Sequence, residues 1–261
     1  MTGPLRRIVV AVDASPLSAA AAGVACRLSG RLGMPVEAVF VEDINMVRLA
    51  AHAQVQTVSL MAARRQAADG ALIGKALELQ GVAARRMVEQ VLAATGGHGG
   101  FHLRRGKVEA ELLDAAHACD LLCLGWSGRV DRGPRARLGS VARAAAAGFA
   151  GSVLLSRNAA LGPLCLWWTG NDRALTLAAA LAARDGGAVQ VVVPDADHVG
   201  GTLRGLDAVA RLEALGQRAS LRAVARPATL LASLPADTLL VLPGDGGVTL
   251  DDVPCSAVLA R

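Results

Sequence analysis

Tyrosine is absent from the sequence, and Trp126, Trp167, Trp168, Phe40, Phe101 and Phe149 make up its whole aromatic content, 2 %. Single-stranded nucleic acid is held by stacking bases on exposed aromatic rings, so this small set argues against nucleic acid as a partner. Lysine is nearly missing as well: Lys75 and Lys107 are the only two, and arginine supplies the rest of a net charge of +5. Arginine's planar fork suits phosphate, although an arginine-rich composition spread along the chain explains most of the bias by itself. No cysteines stand in a CxxC pair and their number is odd, so Cys26, Cys119, Cys123, Cys165 and Cys255 read as reduced, structural thiols. No histidine spacing fits a metal: His98 and His102 are four apart, but His98 lies in Gly-Gly-His-Gly-Gly, which is not helical. Long apolar runs are missing too. The run after Arg6-Arg7 stops at Asp13, too soon for a signal peptide, and none approaches the roughly 18 residues that span a bilayer. We therefore expect a cytoplasmic protein with no membrane contact.

What is present is apolar and rich in alanine: 53 % hydrophobic residues over 261 positions, with a mean hydropathy of +0.41. That excludes a disordered chain and suits one large domain or two small ones. Ile8-Val-Val-Ala-Val12 is a β-branched run ending in Asp-Ala-Ser-Pro, the pattern of a buried strand before a turn. Ser15 can cap a helix that has Pro16 at its first position and Gly33 at its end. Pro35 to Val41 reads as the second strand. Residues 44–70 lack breakers and read as a loop with helical pieces. A helix over 71–95, a strand over 101–105, a helix over 108–118, a strand over 121–124, a helix over 140–147 and a strand over 152–155 complete the first half.

A shortened version of this plan follows. Strands are expected at 164–168, 189–193, 220–224, 238–242 and 256–259, with helices at 173–184, 203–217 and 227–234. Alternating strands and helices imply parallel sheets with helices on both faces. The repeat divides the chain into units of 1–157 and 163–261. The last strand of each is apolar, and an exposed apolar edge invites aggregation, so we expect the two to pair as an intramolecular pseudo-dimer. A homodimer stays open.

In open α/β sheets ligands sit at the strand C-terminal ends. There Gly125-Trp-Ser-Gly128 ends a strand, and Gly139-Ser140 opens a helix. A helix N-terminus with glycines beside it can hold phosphate through backbone N–H groups; it can equally be a turn with Ser140 as an ordinary N-cap. Asp13, at the end of the first strand, can likewise be a helix cap. Arg129, Arg132, Arg135, Arg137 and Arg143 surround the loop and can meet phosphate, an acidic partner or only solvent.

In order and spacing these segments resemble the universal stress protein family. Ile8-Val-Val-Ala-Val-Asp-Ala-Ser15 is similar to its first strand and aspartate turn. Gly106, Glu109, Leu112 and Ala116 are similar to the helix before its fourth strand, and Ala118-Cys-Asp-Leu-Leu-Cys-Leu-Gly125 to that strand. Gly125-Trp-Ser-Gly128 with Gly139-Ser140 is similar to its phosphate loop G-x2-G-x9-G-[ST], except that ten residues, not nine, separate Gly128 from Gly139. Trp126 is also bulkier than is usual there. The resemblance covers the first unit and implies a Rossmann-like, adenine nucleotide alpha hydrolase-like fold with five-stranded sheets. It implies an adenine-nucleotide site of Asp13, Val41, Gly125, Gly128, Arg129, Gly139, Ser140 and Val141, taking ATP alone or with Mg²⁺. Val41 would offer backbone groups to the adenine edge.

The second unit has Thr169-Gly-Asn171 where Asp13 would fall, and after Pro243-Gly-Asp-Gly-Gly no phosphate-facing helix is expected. The expected function is nucleotide-dependent stress sensing through an unidentified protein partner, without fast catalysis; slow ATP hydrolysis stays open. The rival is a ligand-free scaffold with no cofactor. An ATP-consuming hydrolase or ligase would want an SGGxDS loop after the first strand, a receiver domain paired acids, and a dinucleotide enzyme GxGxxG; Asp13-Ala-Ser-Pro-Leu-Ser18 has none of these.

Overall fold

The computed structural model describes residues 5–50, 52, 56–59, 64–67, 69–116, 121–128, 137–182, 188–194, 199–223, 227–244 and 248–261. The first half runs β1 (Ile8–Ala11), α1 (Pro16–Leu32), β2 (Val36–Asp43), α2 (Ile44–Ala50), β3 (Gln56–Ser59), β4 (Arg64–Ala67), α3 (Gly70–Thr95), β5 (Gly99–Gly106), α4 (Val108–Ala116), β6 (Leu121–Gly125), α5 (Ser140–Gly148) and β7 (Ser152–Ser156). The second runs β8 (Leu164–Trp167), α6 (Asp172–Ala182), β9 (Ala188–Val193), α7 (Val199–Ala214), β10 (Arg218–Ala223), α8 (Pro227–Ser233), β11 (Leu239–Pro243), a 3₁₀ turn (Leu250–Asp252) and β12 (Ser256–Ala260).

Most boundaries follow local chemistry. Ser15 caps α1 by accepting the Ser18 N–H at 3.1 Å, with Pro16 leading the first turn. Gly33 ends α1 in the left-handed conformation, φ 68°, and its N–H returns to the Ser29 carbonyl. Gly96 closes α3 in the same way, φ 63°. The reading of 44–70 as a loop with helical pieces is corrected. α2 is such a piece, but β3 and β4 form a separate antiparallel pair with Gln56 opposite Ala67. Only Thr57 and Val58 in these strands are β-branched, and no Gly, Pro or Asn lies between them, so neither strand nor turn had a signal.

The remaining ten strands form one sheet in the order β10-β9-β8-β11-β12-β7-β6-β1-β2-β5. Each half is a five-stranded parallel array. The arrays are not separate sheets, because β7 and β12 pair antiparallel with Leu154 opposite Val258. Both strands are buried at every position, so each covers an edge the other half would leave bare. α1, α3, α6 and α7 pack on one face and α4, α5 and α8 on the other; each of the two cores draws on both halves. Strand alternation divides the cores: Ile8 and Val10 enter one, Val9 the other. Cys165 and Cys255 lie buried in the second core, and burial pushes both thiols up to about 12, which suits a structural role. Cys119 and His117 lie outside the described residues.

Leu154 is fully buried at the joint. Leu154→Ala is expected to cost about 2–5 kcal/mol. Since the cores are shared, unfolding in urea followed by tryptophan fluorescence should stay a single transition. Two separated transitions would contradict a common core.

Candidate functional site

From β1 the chain passes to β2 on one side, while β6 flanks β1 on the other. The order reverses between β1 and β6, and a crevice opens at their C-terminal ends. It encloses about 260 Å³. Ala11, Val39, Val41, Val108, Leu112 and Leu124 make its apolar wall; Asp13, Ser15, Ser18, Ser127, Gly128 and Ser140 make its polar rim.

Asp13 is held by its own turn. Its Oδ1 accepts the Ser15 N–H at 2.9 Å, and its N–H donates to Ser18 Oγ at 3.2 Å. The alternative of Asp13 as a helix cap is corrected, since Ser15 does that work. Oδ2 takes no hydrogen bond from a described residue and stays available at the rim. Between Asp13 and Ser15, Ala14 adopts φ 59°, a left-handed conformation that costs a residue with a Cβ roughly 1–2 kcal/mol. The tight turn from β1 into α1 is thus kept at some expense, and it aims Asp13 at the crevice.

Val41 lies two residues past Val39, whose carbonyl accepts the Val12 N–H at 2.9 Å. Alternation along β2 turns the peptide groups of Val41 the same way, beyond the end of β1. They face the crevice as backbone donor and acceptor.

The two limbs of the loop after β6 are fastened together. The Gly139 N–H donates to the Trp126 carbonyl at 2.9 Å, and a Cβ on Gly139 would stand 3.3 Å from Ser127 Cα. The limbs thus meet although the segment between Gly128 and Gly139 is one residue longer than the family pattern; 129–136 lie outside the described residues, Arg129, Arg132 and Arg135 among them. Trp126 does not intrude on the crevice. Its ring is buried, packs in the core shared by both halves and lies under the Arg157 guanidinium at 3.7 Å.

The N-cap of α5 is Gly139, with no side-chain hydrogen bond, which corrects the reading of Ser140 as an ordinary cap. The first intrahelical bond runs from the Arg143 N–H to the Gly139 carbonyl. The N–H groups of Ser140, Val141 and Ala142 thus have no helical partner, and all three residues line the crevice. No acidic residue stands in the first turn, so the positive end of the dipole is not neutralised within α5 itself.

Two glycines differ in their reason. A Cβ on Gly125 would stand 3.0 Å from the Leu17 carbonyl carbon, so glycine there lets α1 lie against the end of β6. At Gly128 a Cβ would meet no described atom within 4 Å, and the backbone is not left-handed. Packing among the described residues does not call for glycine at 128; an approaching ligand would.

The antiparallel joint puts the second half's strand ends on the opposite edge of the sheet. There Asn171 Oδ1 accepts the Ala174 N–H in the first turn of α6. The stem of Arg261 covers Gly244 at the end of β11, and its guanidinium donates to the carbonyls of Ala146, Ala147 and Phe149 at the end of α5. Among residues 248–255 the only helical turn is Leu250–Asp252, which carries two acids. Among the described residues no group of three metal-ligating side chains occurs, and no helix is long and apolar enough to cross a membrane.

Asp251, on that 3₁₀ turn, reaches the first half. Its Oδ1 accepts the Leu138 N–H at 2.9 Å, and its Oδ2 accepts from Arg143 Nη2 at 3.3 Å. The Leu138 N–H holds the carboxyl below its ordinary range; burial opposes this, and Arg143 and Arg137 reinforce it. Sequence reading missed Asp251, and Arg261 with it, because only the pairing of β7 with β12 brings them to α5.

The family model of the universal stress proteins matches residues 4–157. The chain belongs to the universal stress protein family. A universal stress protein of Archaeoglobus fulgidus DSM 4304 is 13 % identical, with 98 % of each chain covered and a TM-score of 0.67. A Pseudomonas aeruginosa UCBPP-PA14 protein, proposed to be a universal stress protein, is 15 % identical, covers 98 % of this chain and 93 % of its own, and has a TM-score of 0.52. At these identities the likeness is one of fold. It spans both halves, whereas the family model matches only the first. No curated protein matches the chain.

In this family member Gly125→Ala is expected to cost about 1–3 kcal/mol, because the clash is with backbone that cannot rotate away; chemical denaturation measures it. Asp251 makes a pH-dependent contribution. A carboxylate lowered in the folded state stabilises above its unfolded pKa, about 3.9, and loses this as pH falls through the folded value. The stability difference between the native protein and Asp251→Asn should be present at neutral pH and shrink in acid below about pH 4, as thermal melts at each pH would record.

Proposed function

We propose that the chain binds an adenine nucleotide, ATP alone or with Mg²⁺, in the crevice between β1 and β6. Occupancy would change its interaction with a protein partner in the cytoplasm during stress. The observation that carries this reading is the start of α5: three peptide N–H groups without helical partners face the crevice beside Gly128, where an open space replaces a side chain. Such a cluster with a helix dipole behind it suits phosphate. The apolar wall suits a flat base, and Asp13 Oδ2 suits a ribose hydroxyl. The enclosed 260 Å³ is just under the roughly 300 Å³ at which ligand pockets begin, room for one nucleoside with its phosphates lying outward along α5.

The reading is of a binding protein, not a fast enzyme. Phosphoryl transfer needs a residue that orients an attacking group, with a lysine or metal clamp on the phosphates; among the described residues the crevice rim offers a single carboxylate and no lysine. In this reading 1–157 is the binding unit and 163–261 its non-binding companion, so one nucleotide binds per chain. Arg261 over Gly244, and the lack of any helix longer than a 3₁₀ turn among the described residues between β11 and β12, support that asymmetry.

Calorimetric titration with ATP and Mg²⁺ should show about one site per chain. Asp13→Ala, which deletes a charged acceptor, should weaken it about 10- to 100-fold. Gly128→Ala should leave the melting temperature unchanged yet weaken binding. Absence of heat and of any melting shift at millimolar ATP would support the ligand-free scaffold instead.

A further inference from the structure

α5 carries the free N–H groups of the crevice, yet it is held from outside its own half. At its N-terminal end the carboxylate of Asp251 grips the Leu138 N–H and Arg143. At its C-terminal end the guanidinium of Arg261 takes the carbonyls of Ala146, Ala147 and Phe149. Both residues flank β12, one before it and one after it. Because β12 runs antiparallel to β7, its two flanks fall at the two ends of the helix that precedes β7. The signs match the helix dipole, with an anion at the positive end and a cation at the negative end.

We propose that Asp251 and Arg261 are positioning residues through which the second half fixes α5 for phosphate binding in the first half; this rests on the nucleotide reading above. α5 has only nine residues, six of them Ala or Gly. So short a helix is marginal alone, and its small side chains give it little grip on the sheet. The Asp251 bond falls one residue before the N-cap Gly139, and so sets the direction from which the loop enters the helix. One competing effect has the opposite sign: a carboxylate near the phosphate path repels phosphate. Asp251 is paired with Arg143 and does not line the crevice, so its charge is largely compensated where the phosphates would lie, and positioning outweighs repulsion.

The test is titration of the full chain and its variants with ATP and with adenosine, which lacks phosphates. Asp251→Ala should weaken ATP about tenfold, the lower end for loss of a charge-assisted hydrogen bond, and leave adenosine unchanged. Asp251→Asn keeps an acceptor for the Leu138 N–H and should recover most of the loss. Arg261→Ala should weaken ATP by a smaller factor, again without affecting adenosine. Unchanged or tighter ATP binding in Asp251→Ala would overturn the proposal, as would equal losses of ATP and adenosine. Hydrogen exchange on the unliganded protein separates this from the nucleotide reading. Amides of 138–143 should exchange faster in Asp251→Ala while those of β6 do not. If the native protein binds neither ligand, the nucleotide reading fails, and with it the role in phosphate binding; the exchange result then decides whether the clamp itself exists.

Discussion

The antiparallel pairing of β7 with β12 is the contact on which the rest of the molecule depends. Two five-residue strands, buried at every position, close the apolar edges that two separate parallel arrays would expose. Parallel pairing continues on either side of the joint, so the direction of every strand in the second half is reversed relative to the first. The two rows of strand ends consequently lie on opposite edges of one sheet. This reversal carries the 3₁₀ turn before β12 to the binding edge of the first half and carries Arg261 to the far end of α5.

The crevice itself arises from smaller constraints. The order of β6, β1 and β2 opens it, a left-handed Ala14 turns the chain so that Asp13 faces it, and glycine at 125 lets α1 approach β6. Gly128 has no such packing role among the described residues. A position that is glycine without crowding or left-handed backbone is better explained by what approaches it than by what surrounds it. That distinction separates the glycines that build the fold from the one that faces the site.

The halves share a plan but have diverged in electrostatics. The first presents uncapped N–H groups at the start of α5 with no acid in its first turn. In the second, an arginine covers Gly244 at the end of β11, and among the described residues only a short acidic turn precedes β12. One half offers a positive helix end to a ligand; the other turns its charges towards its neighbour.

Much of this was legible in the sequence. The run Ile8 to Val12, the Ser15-Pro16 start, the stops at Gly33 and Gly96 and the apolar last strands follow from local rules of propensity and capping, which act within a few residues. Asp13, Val41, Gly125, Gly128, Gly139, Ser140 and Val141 came as a set through the family resemblance, and they line one crevice because strand ends and helix starts share one edge of a parallel sheet. β3 and β4 were not legible, since their pairing has no patterned signal in Gln56–Ser59 or Arg64–Ala67. The sequence by itself determined the elements and the chemistry at their ends. Only the tertiary structure decided that Gly139 rather than Ser140 caps α5, that the Trp126 ring leaves the crevice, and that Asp251 and Arg261 reach α5. Each of these depends on where a backbone limb lies in space, and that is fixed by contacts between segments distant in sequence, from Gly139 with Trp126 to Leu138 with Asp251, which no local pattern encodes.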